Sequence, residues 1–232
     1  MGKLLYSVNH MYFDKIDTYN KAYILGIMFA DGHMYKNRKQ IRLKLADIDI
    51  LENIKNEMEY TGPLYDVLPY HKDGKNCKGA KILTISSSKI YGDLIKLGCI
   101  QNKTYNKEFP NIDDFYMSDF IRGYFDGNGC FCIMHDNRDG NLIGEMVICS
   151  TVCFCNGLNK YLNGVGIHSS LFRDKNHDNR IGKIRIRRLE DLKLFYKLIY
   201  DSKIDEKLYL KRKYNKYSDY MKEKFGGIYV NN

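Results

Sequence analysis

Residues 22–32, Ala-Tyr-Ile-Leu-Gly-Ile-Met-Phe-Ala-Asp-Gly, return in kind at residues 119–129, Asp-Phe-Ile-Arg-Gly-Tyr-Phe-Asp-Gly-Asn-Gly. Setting Gly26 against Gly123 also sets Gly32 against Gly129, at one offset of 97 residues. Each copy is an apolar run of about two to three helical turns that stops at a glycine, the residue that enters the left-handed region most cheaply. Gly26 and Gly123 lie inside their runs, where glycine costs roughly 1 kcal/mol relative to alanine. That cost makes sense if a second backbone comes close, so the two runs are expected to pack against each other through these glycines. Asp31 and Asp126 then fall near the negative ends of the paired helices, where carboxylates repel the dipole and each other. A divalent cation would reverse the sign, because hard cations take carboxylate oxygens. The bland alternative is that both aspartates cap turns in solvent; their occurrence in duplicate favours a functional role.

Outward from each run the order of elements repeats. Gln40-Ile41-Arg42-Leu43-Lys44-Leu45 alternates apolar and polar residues, which predicts a half-buried strand with a basic outer face. An ordinary solvated sheet face is the alternative. Asp47 is expected to cap a helix to about Tyr60 with Leu51, Ile54 and Met58 inward, and Gly62-Pro63 breaks it. A strand pair with a return strand at Lys81–Ser86 follows, and then a helix from Ser87 closed by Gly98. After residues 99–118, read as a connector, come strands near Cys130–His135 and Leu142–Ser150 and a helix near Val152–Leu162 ended by Gly164. Strands near His168–Arg173 and Gly182–Arg187 and a helix from Leu189 complete the second round. Each half reads α-β-β-α-β-β-α, giving an α+β duplication: first repeat 1–98, connector 99–118, second repeat 119–232 with a basic, aromatic tail. Leu83-x-Ile85 and Ile184-x-Ile186 correspond at an offset of 101, so the second half carries a net insertion of four residues.

The 232-residue chain is 44% apolar, enough for a sizeable core, and its 37 Lys and Arg against 28 Asp and Glu give a net charge of +9. A basic excess fits nucleic acid best and an anionic membrane surface less well. No apolar run spans a bilayer and no signal-peptide core leads the chain, so an intracellular protein is expected, in cytoplasm or organelle matrix. The seven cysteines agree with a reducing compartment. Cys130, Cys132, Cys149, Cys153 and Cys155 are read as small core hydrophobes rather than zinc ligands, because their close spacing is C-x-C. No P-loop, serine-nucleophile motif or histidine metal spacing is present.

Ile24–Gly32 and Ile121–Gly129 resemble the nine-residue motif of the LAGLIDADG homing endonucleases, in the single-chain form that carries it twice. The resemblance covers roughly residues 12–220 and implies two antiparallel saddle-shaped sheets, with the motif helices paired at the interface. It also implies a monomer that cuts double-stranded DNA at a long non-palindromic site with Mg2+, in the service of intron homing. The family's metal-binding acid precedes the final glycine, which here gives Asp31 and Asn128, assisted by the carbonyls of Ala30 and Gly127. Lys103 and Lys213 are the implied basic residues of the site, with surface lysine as the alternative for each. Gln40, Arg42, Lys44, Lys183, Arg185 and Arg187 point outward by alternation and would face the DNA, phosphates for Lys and Arg and base edges for Gln and Arg. The matching second-half strand is expected to present Glu145 and Val147 where the first has Arg42 and Lys44. His33 is read as a phosphate contact or a solvated turn residue. Asn128 departs from the pattern: an amide ligates magnesium without bringing negative charge. The competing reading is therefore a nicking or non-cleaving variant, a DNA binder or a maturase acting on intron RNA.

Overall fold

Thr18 starts the first motif helix by accepting a hydrogen bond from the Lys21 amide with its side chain, and the helix, α1, runs Tyr19–Ala30. Every residue from Ala22 to Ala30 is buried, as befits a helix apolar on all sides. The second motif forms α4, Met117–Asn128, in which every residue from Met117 to Asp126 except Ser118 is buried. The two pack through their glycines. A Cβ on Gly26 would stand 2.2 Å from the Phe120 carbonyl oxygen, and one on Gly123 would stand 2.0 Å from that of Tyr23. Backbone meets backbone at both places, which is the close approach that the sequence predicts. The terminal glycines serve a different purpose from the expected one. Gly129 has φ −82° and Gly32 is not among the positive-φ glycines, so neither is a left-handed stop. A Cβ at Gly32 would instead meet the Met28 carbonyl oxygen at 2.5 Å, and one at Gly129 would meet the Phe125 ring at 2.1 Å.

The computed structural model describes residues 6–72, 74–100, 107–135, 140–174, 180–200 and 204–226. After α1 come β1 (His33–Tyr35), β2 (Gln40–Leu45), α2 (Ile48–Glu57), β3 (Tyr65–Val67), a small hairpin of β4 (Tyr70–Lys72) and β5 (Lys75–Cys77), β6 (Ala80–Ser86) and α3 (Ser88–Lys96). After α4 come β7 (Gly129–His135), β8 (Leu142–Thr151), α5 (Val152–Gly164), β9 (Ser170–Arg173), β10 (Ile181–Ile186), α6 (Leu189–Ile199) and α7 (Lys211–Phe225). The sheets have equivalent orders, β1-β2-β6-β3 and β7-β8-β10-β9, and every pairing in them is antiparallel. The α+β duplication with paired motif helices is therefore the observed architecture. Inner faces carry Ile41, Leu43, Leu83 and Ile85 in one sheet and Phe131, Met146, Ile148 and Ile184 in the other, all buried. No helix among the described residues is long and apolar enough to cross a membrane.

The ladders correct one correspondence. His33 pairs with Arg42, and Cys130 with Val147, so Arg42 matches Val147, Gln40 matches Glu145 and Lys44 matches Cys149. The expected alignment was two residues out of register. The outer face survives the slip, because side chains on a strand repeat every two residues. The net insertion of four is a longer β7–β8 hairpin, offset 105 at Arg42–Val147, partly cancelled before β10, where Thr84 and Arg185 match at 101. Three smaller expectations also change. Asp47 makes no side-chain cap to α2; it binds the Arg212 guanidinium at 2.9 and 3.1 Å. Gly164 lies inside α5 and the left-handed residue is Gly166, whereas Gly98, φ +97°, closes α3 as expected. Cys130, Cys149 and Cys153 are exposed and Cys132 half-buried, so of the cysteines read as core only Cys155 is buried. Strand alternation puts Cys130, Cys132 and Cys149 on the outer face.

Candidate functional site

The glycine seam brings the C-terminal ends of α1 and α4 together. Asp31 caps α1, its amide bonded to the Ile27 carbonyl at 2.8 Å, and it is exposed. A Cβ added to Gly127 would lie 2.2 Å from the Ala30 Cβ and 3.0 Å from Asp31 Oδ2. Ala30, Asp31 and Gly127 therefore converge because Gly127 lacks a side chain. Asn128 follows, exposed, with its Nδ2 donating to the Tyr124 hydroxyl at 3.2 Å. That hydroxyl also accepts from Lys107 Nζ at 2.9 Å and donates to Ser150 Oγ at 2.8 Å. Ala30, Lys107, Asn128, Cys149 and Ser150 line a cavity of about 260 Å³. Lys107 is only 6% exposed and sits 4.7 Å from the centre of the Tyr124 ring. Its backbone carbonyl accepts the Thr151 hydroxyl.

These donors suit a hard cation in kind, being one carboxylate, one amide oxygen and the main-chain carbonyls. They are few. Among the described residues no group of three or more Asp, Glu, His or Cys side chains could hold a metal. The protein thus offers an incomplete oxygen set, of the sort magnesium accepts when substrate phosphates complete it.

Asp126 is not part of this set. It is 2% exposed and accepts from Tyr23 Oη at 2.9 Å, Tyr200 Oη at 3.1 Å and the Leu210 amide at 2.7 Å. Burial pushes its carboxyl up to about 6, against the pull of those donors and Lys213. It ties α1, α6 and the tail to α4, and it answers neither to a solvent cap nor to a metal ligand. Lys213 sits where α7 meets the end of α4. Its Nζ donates to the carbonyls of Phe125, Asp126 and Gly129 at 2.7, 2.6 and 2.6 Å, placing a cation on the negative end of the helix dipole. Burial lowers its ammonium to about 8, with Asp126 opposing the shift. Lys103 lies outside the described residues.

The outer residues of the sheets alternate as expected. Gln40 and Arg42 are half-buried and Lys44 exposed between buried Ile41 and Leu43; Lys183 and Arg185 are half-buried and Arg187 exposed around buried Ile184 and Ile186. Gln40 Nε2 donates to Ser86 Oγ at 3.0 Å. The Arg42 guanidinium lies 5.0 Å from the centre of the Tyr35 ring, and Arg42 makes no ion pair among the described residues. In the second sheet Glu145 binds Arg185 at 2.6 Å and approaches Arg187 at 3.8 Å, and Arg185 also covers Phe172 at 4.7 Å. His33 is a strand residue on this outer face, its ring 4.5 Å from that of Tyr35, rather than a turn residue. The Lys107–Tyr124–Asn128 contact escaped the sequence reading. A lysine in an irregular stretch carries no periodic mark, and only the fold seats it under the second motif.

Residues 116–200 match the model of the LAGLIDADG-like domain. Over 112 residues the chain is 30% identical to an uncharacterized protein of Methanocaldococcus jannaschii, covering 47% of this chain and 38% of that protein. The chain thus spans little more than a third of the curated relative it matches. Among solved structures it is similar to the LAGLIDADG homing endonuclease I-GzeII in complex with its DNA target, at 13% identity and a TM-score of 0.57 over 87% of this chain and 88% of that one. It is also similar to the LAGLIDADG homing endonuclease I-LtrWI bound to target DNA, at 12% identity and 0.57 over 97% and 94%. Full-length DUF199/WhiA from Thermatoga maritima matches at 16% identity and 0.51, over 93% of this chain and 65% of that one.

Proposed function

We propose that this chain, which has the two-repeat LAGLIDADG fold with a LAGLIDADG-like domain in its second half, is a site-specific endonuclease of double-stranded DNA. One observation carries the reading: Asp31, Gly127 and Asn128 meet at the paired helix ends, between two sheets with cationic side chains on their outer faces. The net charge of +9 supports a polyanionic partner, and I-GzeII and I-LtrWI are both described on DNA targets. The two repeats supply two unlike half-sites from one polypeptide, so the enzyme acts as a monomer on a non-palindromic duplex inside the cell. Intron homing is the role that this activity would serve.

In this reading Asp31 and the carbonyls of Ala30 and Gly127 would hold Mg2+, the Asn128 amide would add a neutral oxygen, and substrate phosphates would supply the remaining oxygens. When bound, the ion supplies positive charge at the scissile phosphate and a more acidic water. Lys213 fixes the end of α4 through its three carbonyl contacts and offsets phosphate charge. Lys107 flanks the other side, its ammonium reaching Asn128 through Tyr124; Lys103 is the basic residue that the family resemblance adds. With one acid for two motif ends, the strand served by Asp31 is cut and the strand served by Asn128 is cut slowly. Asn128 also supports the second reading, a catalytically impaired DNA binder or intron RNA maturase.

The test is incubation of the protein with a random duplex library, with and without Mg2+, followed by sequencing of nicked and double-cut molecules. Magnesium-dependent nicks at one sequence, lost in Asp31→Asn while binding persists, support the endonuclease. Tight binding with every duplex intact supports the binder instead.

A further inference from the structure

The outer faces of the two sheets differ in chemistry at matched positions. On the first two strands, where the first repeat carries His33, Arg42 and Lys44, the second carries Cys130, Val147 and Cys149. On the next strand the cations lie in the second repeat, with Lys183, Arg185 and Arg187 matching Ile82, Thr84 and Ser86. The cross-strand pairs Cys130–Val147 and Met134–Ile143 lie on one face, opposite the buried Phe131, Met146 and Ile148. Met134 is 39% and Phe172 45% exposed, and Cys130 and Cys149 are exposed. Apolar side chains gathered on an open sheet face mark a contact surface. Of the cationic groups on this face, Arg185 is held by Glu145, which also draws in Arg187, and is laid over Phe172, while Lys183 stands opposite Cys149 at the motif end of the strip.

We infer that the second repeat reads an A·T-rich half-site through contacts with thymine methyl groups, whereas the first reads hydrogen-bonding base edges with Gln40 and Arg42. The inference rests on the DNA-binding reading above and gives that surface its specificity. In the major groove the C5 methyl of thymine is the one projecting apolar group, and the heteroatoms of the other base edges are donors or acceptors. Guanine O6 and N7 against Val147 or Met134 would lose water with no partner in return, a penalty that rejects G·C. Alternate residues on a strand are about 6.8 Å apart, close to two base-pair steps of about 3.4 Å. Val147 and Ile143, with Glu145 between them, can therefore address bases spread along the half-site. The β7–β8 hairpin, longer than its counterpart, extends this strip away from the motif end. Arg42 differs in having its guanidinium free of carboxylates among the described residues, the state needed to fork onto guanine.

The experiment selects bound duplexes from a random library with the full chain and no divalent cation, then resynthesises the best site with uracil for thymine in one half at a time. Uracil lacks only the methyl group. We expect one half to be A·T-rich and to lose affinity by about fourfold for each contacted methyl removed, while uracil in the other half changes it less than about twofold. Val147→Arg should introduce guanine at one position of the uracil-sensitive half, and Arg42→Ala should relax the other half alone. A selected site that tolerates uracil in both halves, or whose Val147-dependent half is G·C-rich, overturns the inference while leaving DNA binding intact. Enrichment of no sequence at all fails the DNA-binding reading itself.

Discussion

The first repeat ends its motif helix with Asp31 and opens its sheet with Arg42 and Lys44; the second ends its helix with Asn128 and opens its sheet with Val147 and Cys149. The interiors differ far less. Gly26 and Gly123 press backbone on backbone, the sheets share one strand order, and Leu83 and Ile85 stand where Ile184 and Ile186 stand. The glycine seam and the inner faces of the sheets kept their chemistry across the duplication, and the outer faces and motif ends did not. The molecule is symmetric as a scaffold and asymmetric at its motif ends and on its outer faces, the parts that the proposed function would use.

The scaffold half of that contrast breaks most violently at the seam. Gly123→Ala forces a Cβ to 2.0 Å from the Tyr23 carbonyl and should cost about 3 kcal/mol or more, or prevent folding. Gly92→Ala, whose Cβ would meet nothing within 4 Å, should stabilise by roughly 0.5–1 kcal/mol. Urea midpoints measured side by side decide; equal midpoints would remove the seam from the account.

Next in size is the buried Asp126, for which the second repeat alone has a carboxylate, Phe29 standing at the matching place in the first. Its folded value of about 6 exceeds the ordinary 3.8, so the folded state binds the extra proton between those values. Stability should therefore be greatest below pH 4 for this group and fall by roughly 3 kcal/mol as the pH rises through 6. Asp126→Asn should flatten that slope in chemical unfolding run from pH 4 to 7. A slope unchanged in the variant would mean that another group carries it.

On the outer faces the expected effects are smaller and unequal. Arg42→Ala should weaken DNA binding by about 10-fold or more, in the range of about 1–3 kcal/mol for a base-reading arginine, and Arg185→Ala by much less, because Glu145 already holds it. Titration by fluorescence anisotropy gives both, and equal losses would contradict the asymmetry. Smallest of all, Lys44→Ala should leave sequence preference alone and reduce the salt dependence of binding by about one phosphate contact.

Much of this was legible in the sequence because the requirements are local. Alternation at Gln40–Leu45 and Gly182–Arg187 and the mid-helix glycines each state their structural need within a few residues. The register of β8 was not legible, since a two-residue slip keeps every side chain on its face. Asp126 looked like a helix-end acid, and its burial depends on Tyr200 and Leu210, which arrive from more than 70 residues away. The cysteines misled because small hydrophobes are usually buried, whereas strand parity turns Cys130 and Cys149 outward. Of the candidate site, Asp31 and Asn128 are named by the resemblance of the two motifs to the family's, but Lys107 and Tyr124 become neighbours only through the fold.

The central claim is that one motif end is competent and the other impaired by its amide. The most direct measurement follows supercoiled plasmid bearing the selected site, in Mg2+, with the unmodified protein beside Asn128→Asp, and separates nicked from linear product over time. The account predicts that the unmodified protein accumulates nicked circles, with the nick on one strand, and that Asn128→Asp converts them to linear DNA. Rapid linear product from the unmodified protein, or intact plasmid with both proteins despite tight binding, would contradict it.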